Sequence, residues 1–205
     1  MKLLELLKAE AVRRGYVNSE IQIGAATAFV LVRDMPYSRP TAREPEVIIR
    51  EWRGTCSGKH YLLRALFAEL GLQSRVMACS TEITIEPDQV PVDLIPILEE
   101  ANWRIVDVHN YLVVELPDGK MIVDATWPLT TEKWGVTVNE TFQFGQDQVL
   151  ACTPVQSWMV PVDQDPQQFK ETLLKKLFTA EQLTQRDQFI RTLSRVLAEQ
   201  AGDET

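Results

Sequence analysis

Cys56, His109 and Asp124 are the residues whose types and order in this chain point to nucleophilic chemistry. Cys56 sits in Arg53-Gly54-Thr55-Cys56-Ser57-Gly58-Lys59-His60, just ahead of a helical stripe of Leu62, Leu63, Leu66, Phe67 and Leu70 that Gly71 ends. Thr55 is placed as the N-cap, which puts Cys56 in the first turn. Unpaired N–H groups and the helix dipole favour an anion there, and the thiolate is the reactive form of cysteine. The small neighbours Gly54, Thr55, Ser57 and Gly58 predict open access to the sulfur, against a buried structural cysteine. The same stretch is not a phosphate-binding loop. Three residues separate its glycines where that motif has four, and His60 stands where a Ser or Thr should bind Mg²⁺. Cys56 and His60 alone make no zinc site either, since no CxxC pair accompanies them. Neither a metal nor another cofactor is expected.

A thiol nucleophile needs a base, and the base needs a group to orient it. The chain has two histidines, His60 and His109. His60 follows Cys56 by one helical turn but has no evident third partner. His109 opens the apolar strand His109-Asn110-Tyr111-Leu112-Val113-Val114, and the next strand ends Val123-Asp124. An aspartate closing a buried strand is costly without a partner. A two-residue turn at Asp118-Gly119 pairs 113 with 124, so His109 and Asp124 share a face but are offset by four residues, about 13 Å. Contact therefore requires a bulge, a longer loop or a shifted register.

The flanking elements read as α+β. A helix is expected over 3–14, with Leu3, Leu6, Leu7 and Ala11 on one side and Gly15 at its end. Residues 21–32 are apolar and fit either a helix or a buried strand. Pro36, Pro40 and Pro45 mark an irregular segment. Strands follow over 74–85, 103–116 and 120–125, with a helical excursion over 92–101. Pro166 suits a first helical position, and Thr179-Ala180-Glu181-Gln182 matches a capping box. Residues 166–200 thus read as a helical hairpin, expected to pack on the main domain rather than to serve as a dimerisation arm. The division expected is a catalytic domain over 1–150 and a C-terminal helical extension over 151–205.

Of 205 residues, 45% are hydrophobic and the formal net charge is −8, which disfavours a nucleic-acid partner. No apolar run approaches the roughly 18 residues needed to span a bilayer, so no membrane association is expected. Charges at positions 5, 8 and 10 break the stretch from Met1 to Glu10, which is not expected to be a signal peptide. Three sparse cysteines, Cys56, Cys79 and Cys152, suggest reduced thiols and a cytoplasmic location.

The ordered set Met35-Pro36-Tyr37, Gly54-Thr55-Cys56, Leu70-Gly71-Leu72-Gln73-Ser74-Arg75-Val76, His109-Asn110-Tyr111 and Val123-Asp124-Ala125-Thr126 resembles the transglutaminase-like superfamily. The resemblance covers roughly residues 35–128. It implies a papain-like α+β fold in which a catalytic helix packs on an antiparallel sheet. It also implies Cys56 as nucleophile, His109 as general base and acid, and Asp124 as the group that orients His109. The chain departs from the pattern at His60, at Tyr111, where Trp is frequent, and at Ala125, where Pro is frequent. The implied reaction is thiol-dependent acyl transfer or amide hydrolysis on a protein or peptide substrate, with protease, transglutaminase and deamidase all open. The backbone N–H of Cys56 is an oxyanion donor on this reading, with Tyr37 or Trp52 as a second. Two alternatives stand beside it. One is a catalytically silent protein-binding module. The other is an acyltransferase similar to the arylamine N-acetyltransferases, which Arg53-Gly54 echoes with a shift of one residue.

Overall fold

A computed structural model describes residues 2–87 and 90–203, with side chains described as far as Glu199. Met1 and the last two residues of the 151–205 extension lie outside the described residues.

Helix α1 (Leu3–Arg13) turns its Leu6, Leu7 and Ala11 face inward, and Gly15 leaves it with a positive φ of 78°. The apolar stretch after Ile21 resolves as a helix, α2 (Ala25–Arg33), bounded by Gly24 and Asp34. The proline-marked segment is not wholly irregular. Pro45 starts helix α3 (Pro45–Glu51), because a proline at the first helical position loses no hydrogen bond and already has the required φ. Trp52 then reverses the chain in the left-handed region, at φ 54°, and the Gly54 N–H donates to the Pro36 carbonyl at 3.1 Å.

Helix α4 (Cys56–Glu69) begins at the expected cysteine, with Thr55 as its N-cap residue. It packs on a four-stranded antiparallel sheet of order β3-β2-β1-β4, made by β1 (Ser74–Thr84), β2 (Arg104–Leu116), β3 (Gly119–Val123) and β4 (Gln156–Met159). The sheet takes its fourth strand from beyond residue 150, where β4 pairs with β1. A short 3₁₀ turn (Val92–Leu94) runs into α5 (Ile95–Glu100) between β1 and β2.

The β2–β3 register corrects the turn read from sequence. Leu116 pairs with Gly119 and Leu112 with Val123, so Pro117 and Asp118 form the turn rather than Asp118 and Gly119. The shift is two residues, which preserves the face of every side chain. It brings Asp124 opposite Tyr111 on the extended ladder, two residues from His109 rather than four, and a diagonal neighbour at that spacing is within side-chain reach.

Helices α6 (Pro166–Leu177) and α7 (Ala180–Asp203) form the C-terminal hairpin. Its capping box is present. Gln182 N–H donates to Thr179 Oγ1 at 3.2 Å, and Thr179 N–H donates to Gln182 Oε1 at 2.9 Å. The hairpin packs on the body of the protein. Leu173 and Leu174 join the apolar cluster that α1, α2, α3 and α4 build on the sheet, while Leu193 and Leu197 join a second cluster with Tyr37, Leu94, Leu98 and Ile105. Among the described residues no helix is long and apolar enough to cross a membrane.

Candidate active site

Between the two apolar clusters lies a buried polar seam, and the three residues read from sequence meet there. Alternation along β2 puts Asp107, His109 and Tyr111 on the face opposite Val108, Leu112 and Val114, which enter the α4 core. His109 Nε2 lies 2.8 Å from Asp124 Oδ2. The Cys56 thiol and the His109 ring line one slot and interact electrostatically.

Asp124 is held from several sides. Its Oδ1 accepts from Thr126 N–H at 3.0 Å and from Thr126 Oγ1 at 2.6 Å, and Oδ2 also accepts from Ala151 N–H at 2.8 Å. Its own N–H donates to Gln148 Oε1 at 2.7 Å, and its carbonyl accepts from Asn139 Nδ2 at 2.9 Å. The irregular chain after β3 is thus the brace of the carboxylate. Burial opposes ionisation of Asp124, but His109 and these donors outweigh it and hold the carboxyl below its usual range. Burial likewise disfavours a charged His109. The carboxylate and the thiol overcome that cost and raise the imidazolium well above its ordinary value.

The sequence expectation of an open thiol is not met. Cys56 is 3% exposed, and Ser57 and Gly58 are buried with it. The glycines serve close packing instead. A Cβ at Gly54 would lie 3.0 Å from Lys59 Cγ, and one at Gly58 would lie 3.3 Å from Ile48 Cδ1. Burial alone would raise the thiol pKa, yet it is lowered to about 6 by the Lys170 charge and by His109.

Lys170 is a residue that the sequence reading missed. It is 4% exposed on α6, and its Nζ stands 3.6 Å from Cys56 Sγ and 3.3 Å from Ser57 Oγ. Asp107 accepts from Arg186 Nε at 2.6 Å and lies 3.6 Å from Lys170 Nζ. Both cations leave a signal in the sequence that the sequence reading does not use. Lys170 falls in the stripe with Leu173 and Leu174, and Arg186 in the stripe with Leu183, Ile190 and Leu193. A charge in a buried stripe needs a buried partner.

His60 does not serve the thiol. Its Nδ1 lies 2.6 Å from the Cys56 carbonyl, and its Nε2 accepts from Ala125 N–H at 2.9 Å. One nitrogen must donate and the other accept, so the ring is neutral. Burial pushes its pKa down to about 4. Trp52, considered as an oxyanion donor, lies elsewhere. It stacks on Tyr16 at 5.2 Å and under the Arg14 guanidinium at 5.3 Å. Tyr37 does line the cleft beside Cys56, with its ring packed on Trp127 at 4.6 Å.

Cavities flank the sulfur on two sides. Between α6, α7 and the chain leading to α3 lies a polar pocket of about 280 Å³. A slot of about 50 Å³ reaches Cys56 and His109 from the other side, past Ile83, Trp127, Cys152 and Phe189. Those residues also line a groove of about 740 Å³ beside β1. Among the described residues no group of three or more His, Cys, Asp or Glu side chains is placed to hold a metal ion. Comparisons with protein-family models, with curated proteins and with solved structures gave no match.

Proposed function

We propose that this protein is a thiol-dependent acyl-transfer or amide-hydrolysing enzyme with a transglutaminase-like, papain-like architecture. The observation that carries the reading is the chain Cys56–His109–Asp124, with 2.8 Å between His109 Nε2 and Asp124 Oδ2, built at the N-terminus of a helix that packs on an antiparallel sheet. Burial, Lys170 and the imidazolium together set the proton distribution, so that Cys56 is thiolate and His109 imidazolium near neutrality.

The reaction follows from that distribution. The Cys56 thiolate attacks a carbonyl carbon, and the carbonyl π pair moves onto oxygen. The Cys56 N–H, in the uncapped first turn of α4, donates to that oxyanion. On collapse the C–N bond breaks, and His109 gives its proton to the departing amine. The acyl group, now a thioester on Cys56, passes to water or to a second amine, whose proton His109 takes back. Asp124 keeps the ring in the orientation both transfers need. Lys170 acts as a positioning residue that favours the thiolate without entering the bond changes.

The test is to incubate the protein with a library of glutamine- and amide-containing peptides and to identify adducts on Cys56 by mass. A thioester adduct on Cys56 is expected and is lost in Cys56→Ser. If no adduct forms and iodoacetamide labels Cys56 no faster than Cys152, the reading is wrong and a silent binding module replaces it.

A further inference from the structure

The polar pocket beside Cys56 has a charge opposite to that of the chain as a whole. The protein carries −8, whereas five cations and three carboxylates line this pocket. The carboxylates are already engaged. Asp107 holds Lys170 and Arg186, Asp187 holds Arg39 at 2.8 Å, and Glu171 Oε1 accepts from Gln167 Nε2 at 2.8 Å. Two cations from separate elements remain: Arg43 ahead of α3 and Lys175 on α6. Among the described residues neither makes an ion pair or a side-chain hydrogen bond. The buried Lys170 ammonium lines the same pocket, 3.6 Å from the sulfur. Thr55 supplies no side-chain cap to the turn that carries Cys56. The slot on the other side of the sulfur is apolar along Ile83, Ile105, Trp127, Phe189 and Leu193.

Building on the acyl-transfer reading, we propose that the pocket between α6 and the Arg39–Arg43 segment binds an anionic group of the substrate, a carboxylate or a phosphate, on one side of the carbonyl that Cys56 attacks. Arg43 and Lys175 are its specificity-determining residues. A pair of cations without counter-charges attracts an incoming anion and disfavours a cation. At about 280 Å³ the pocket is at the lower end of small-ligand sites, enough for one acidic group and its stem. The apolar slot takes the other side of the same carbonyl.

Charge-selective alkylation tests this on the intact protein. Iodoacetate and iodoacetamide both react by thiolate attack on carbon with loss of iodide, but only the first carries a charge. The iodoacetate-to-iodoacetamide rate ratio at Cys56, read by peptide mapping at neutral pH, is expected to exceed that of glutathione by about tenfold or more. It falls about threefold in Arg43→Gln and in Lys175→Gln, and about tenfold in the double variant, the size expected for unit charges several ångströms away. Both residues are exposed, so the variants fold, and Lys176→Gln on the same helix is the control that leaves the ratio unchanged. Protection of Cys56 from iodoacetamide by glutarate assigns a carboxylate ligand, and protection by inorganic pyrophosphate assigns a phosphate.

A wild-type ratio retained in the double variant, or protection by neither anion, overturns the inference. Slow iodoacetamide labelling of Cys56 itself instead overturns the acyl-transfer reading beneath it, so the two failures are distinguishable.

Discussion

His60 and His109 flank the same carboxylate, from α4 on one side of Asp124 and from β2 on the other. Their rings are 6.0 Å apart, and both are buried. His60 Nε2 lies 3.6 Å from Asp124 Oδ1, and His109 Nε2 lies 2.8 Å from Oδ2. Yet burial drives one pKa down to about 4, while the other is raised. Hydrogen-bond chemistry makes the difference. His60 is spanned by a backbone carbonyl and a backbone N–H, a pair that only a neutral imidazole satisfies. His109 is bonded to a carboxylate and shares a slot with an acidic thiol, surroundings that reward a positive charge. Burial and a nearby aspartate do not by themselves make a charged histidine.

The sharpest way to break this comparison is to remove each ring. His60→Ala leaves the Ala125 N–H and the Cys56 carbonyl without their buried partner and opens a cavity, so a loss of about 3 kcal/mol is expected in urea unfolding. The pH midpoint of Cys56 alkylation in that variant should stay near 6. A midpoint shift with no stability loss would exchange the roles of the two histidines.

His109→Ala should act in the opposite sense. The thiol loses the imidazolium that helps to hold its pKa down, so its pKa rises, and Cys56 alkylation at neutral pH slows by about tenfold or more even after the gain in intrinsic nucleophilicity. In the wild type the rate is full above the thiol pKa of about 6 and is lost as pH falls through it. A stopped-flow or quenched labelling series against pH reads both.

Lys170→Met probes a contribution from outside the β2–β3 hairpin. Removing a cation 3.6 Å from the sulfur should move the alkylation midpoint upward by about one pH unit and slow labelling at neutral pH a few-fold. An unchanged midpoint would show that His109 alone sets the thiol. Asp124→Asn should slow labelling at neutral pH in the same direction as His109→Ala, but by less. The amide oxygen still orients the ring, but the imidazolium loses its counter-charge, so the rate falls less than in His109→Ala. A loss as large as that of His109→Ala would make the carboxylate charge, rather than the ring's presence, the controlling feature.

Exposure and reactivity give one more contrast. Cys152 is more exposed than Cys56, but it lies 3.9 Å from Cys79, and that contact together with partial burial raises its thiol. Brief iodoacetamide treatment with peptide mapping should therefore find Cys56 labelled first, Cys152 later and the buried Cys79 last. Cys152 labelled first would count against the acyl-transfer reading, which requires Cys56 to be the more reactive thiol.

Local signals fixed much of this protein in the linear chain. The apolar stripe after Cys56 specifies α4, which Thr55 precedes without capping, the capping box at Thr179 specifies the start of α7, and residue parity on β2 and β3 puts His109 and Asp124 on one face. Each is decided by neighbours within a few residues, where helix and strand periods operate. Helix α3 escaped because a proline reads as a breaker unless it is known to stand at the first helical position. Tertiary structure alone decided the rest. A two-residue change of hairpin register closed the His109–Asp124 gap, since parity is indifferent to shifts of two. Side chains brought in from distant elements, Tyr37, Lys170 on α6 and Arg186 and Ile190 on α7, enclose the thiol that small neighbours predict to be open. The cation facing that thiol, Lys170, lies 114 residues away from it in the chain. Coulomb attraction depends on distance in space, and no periodicity records it.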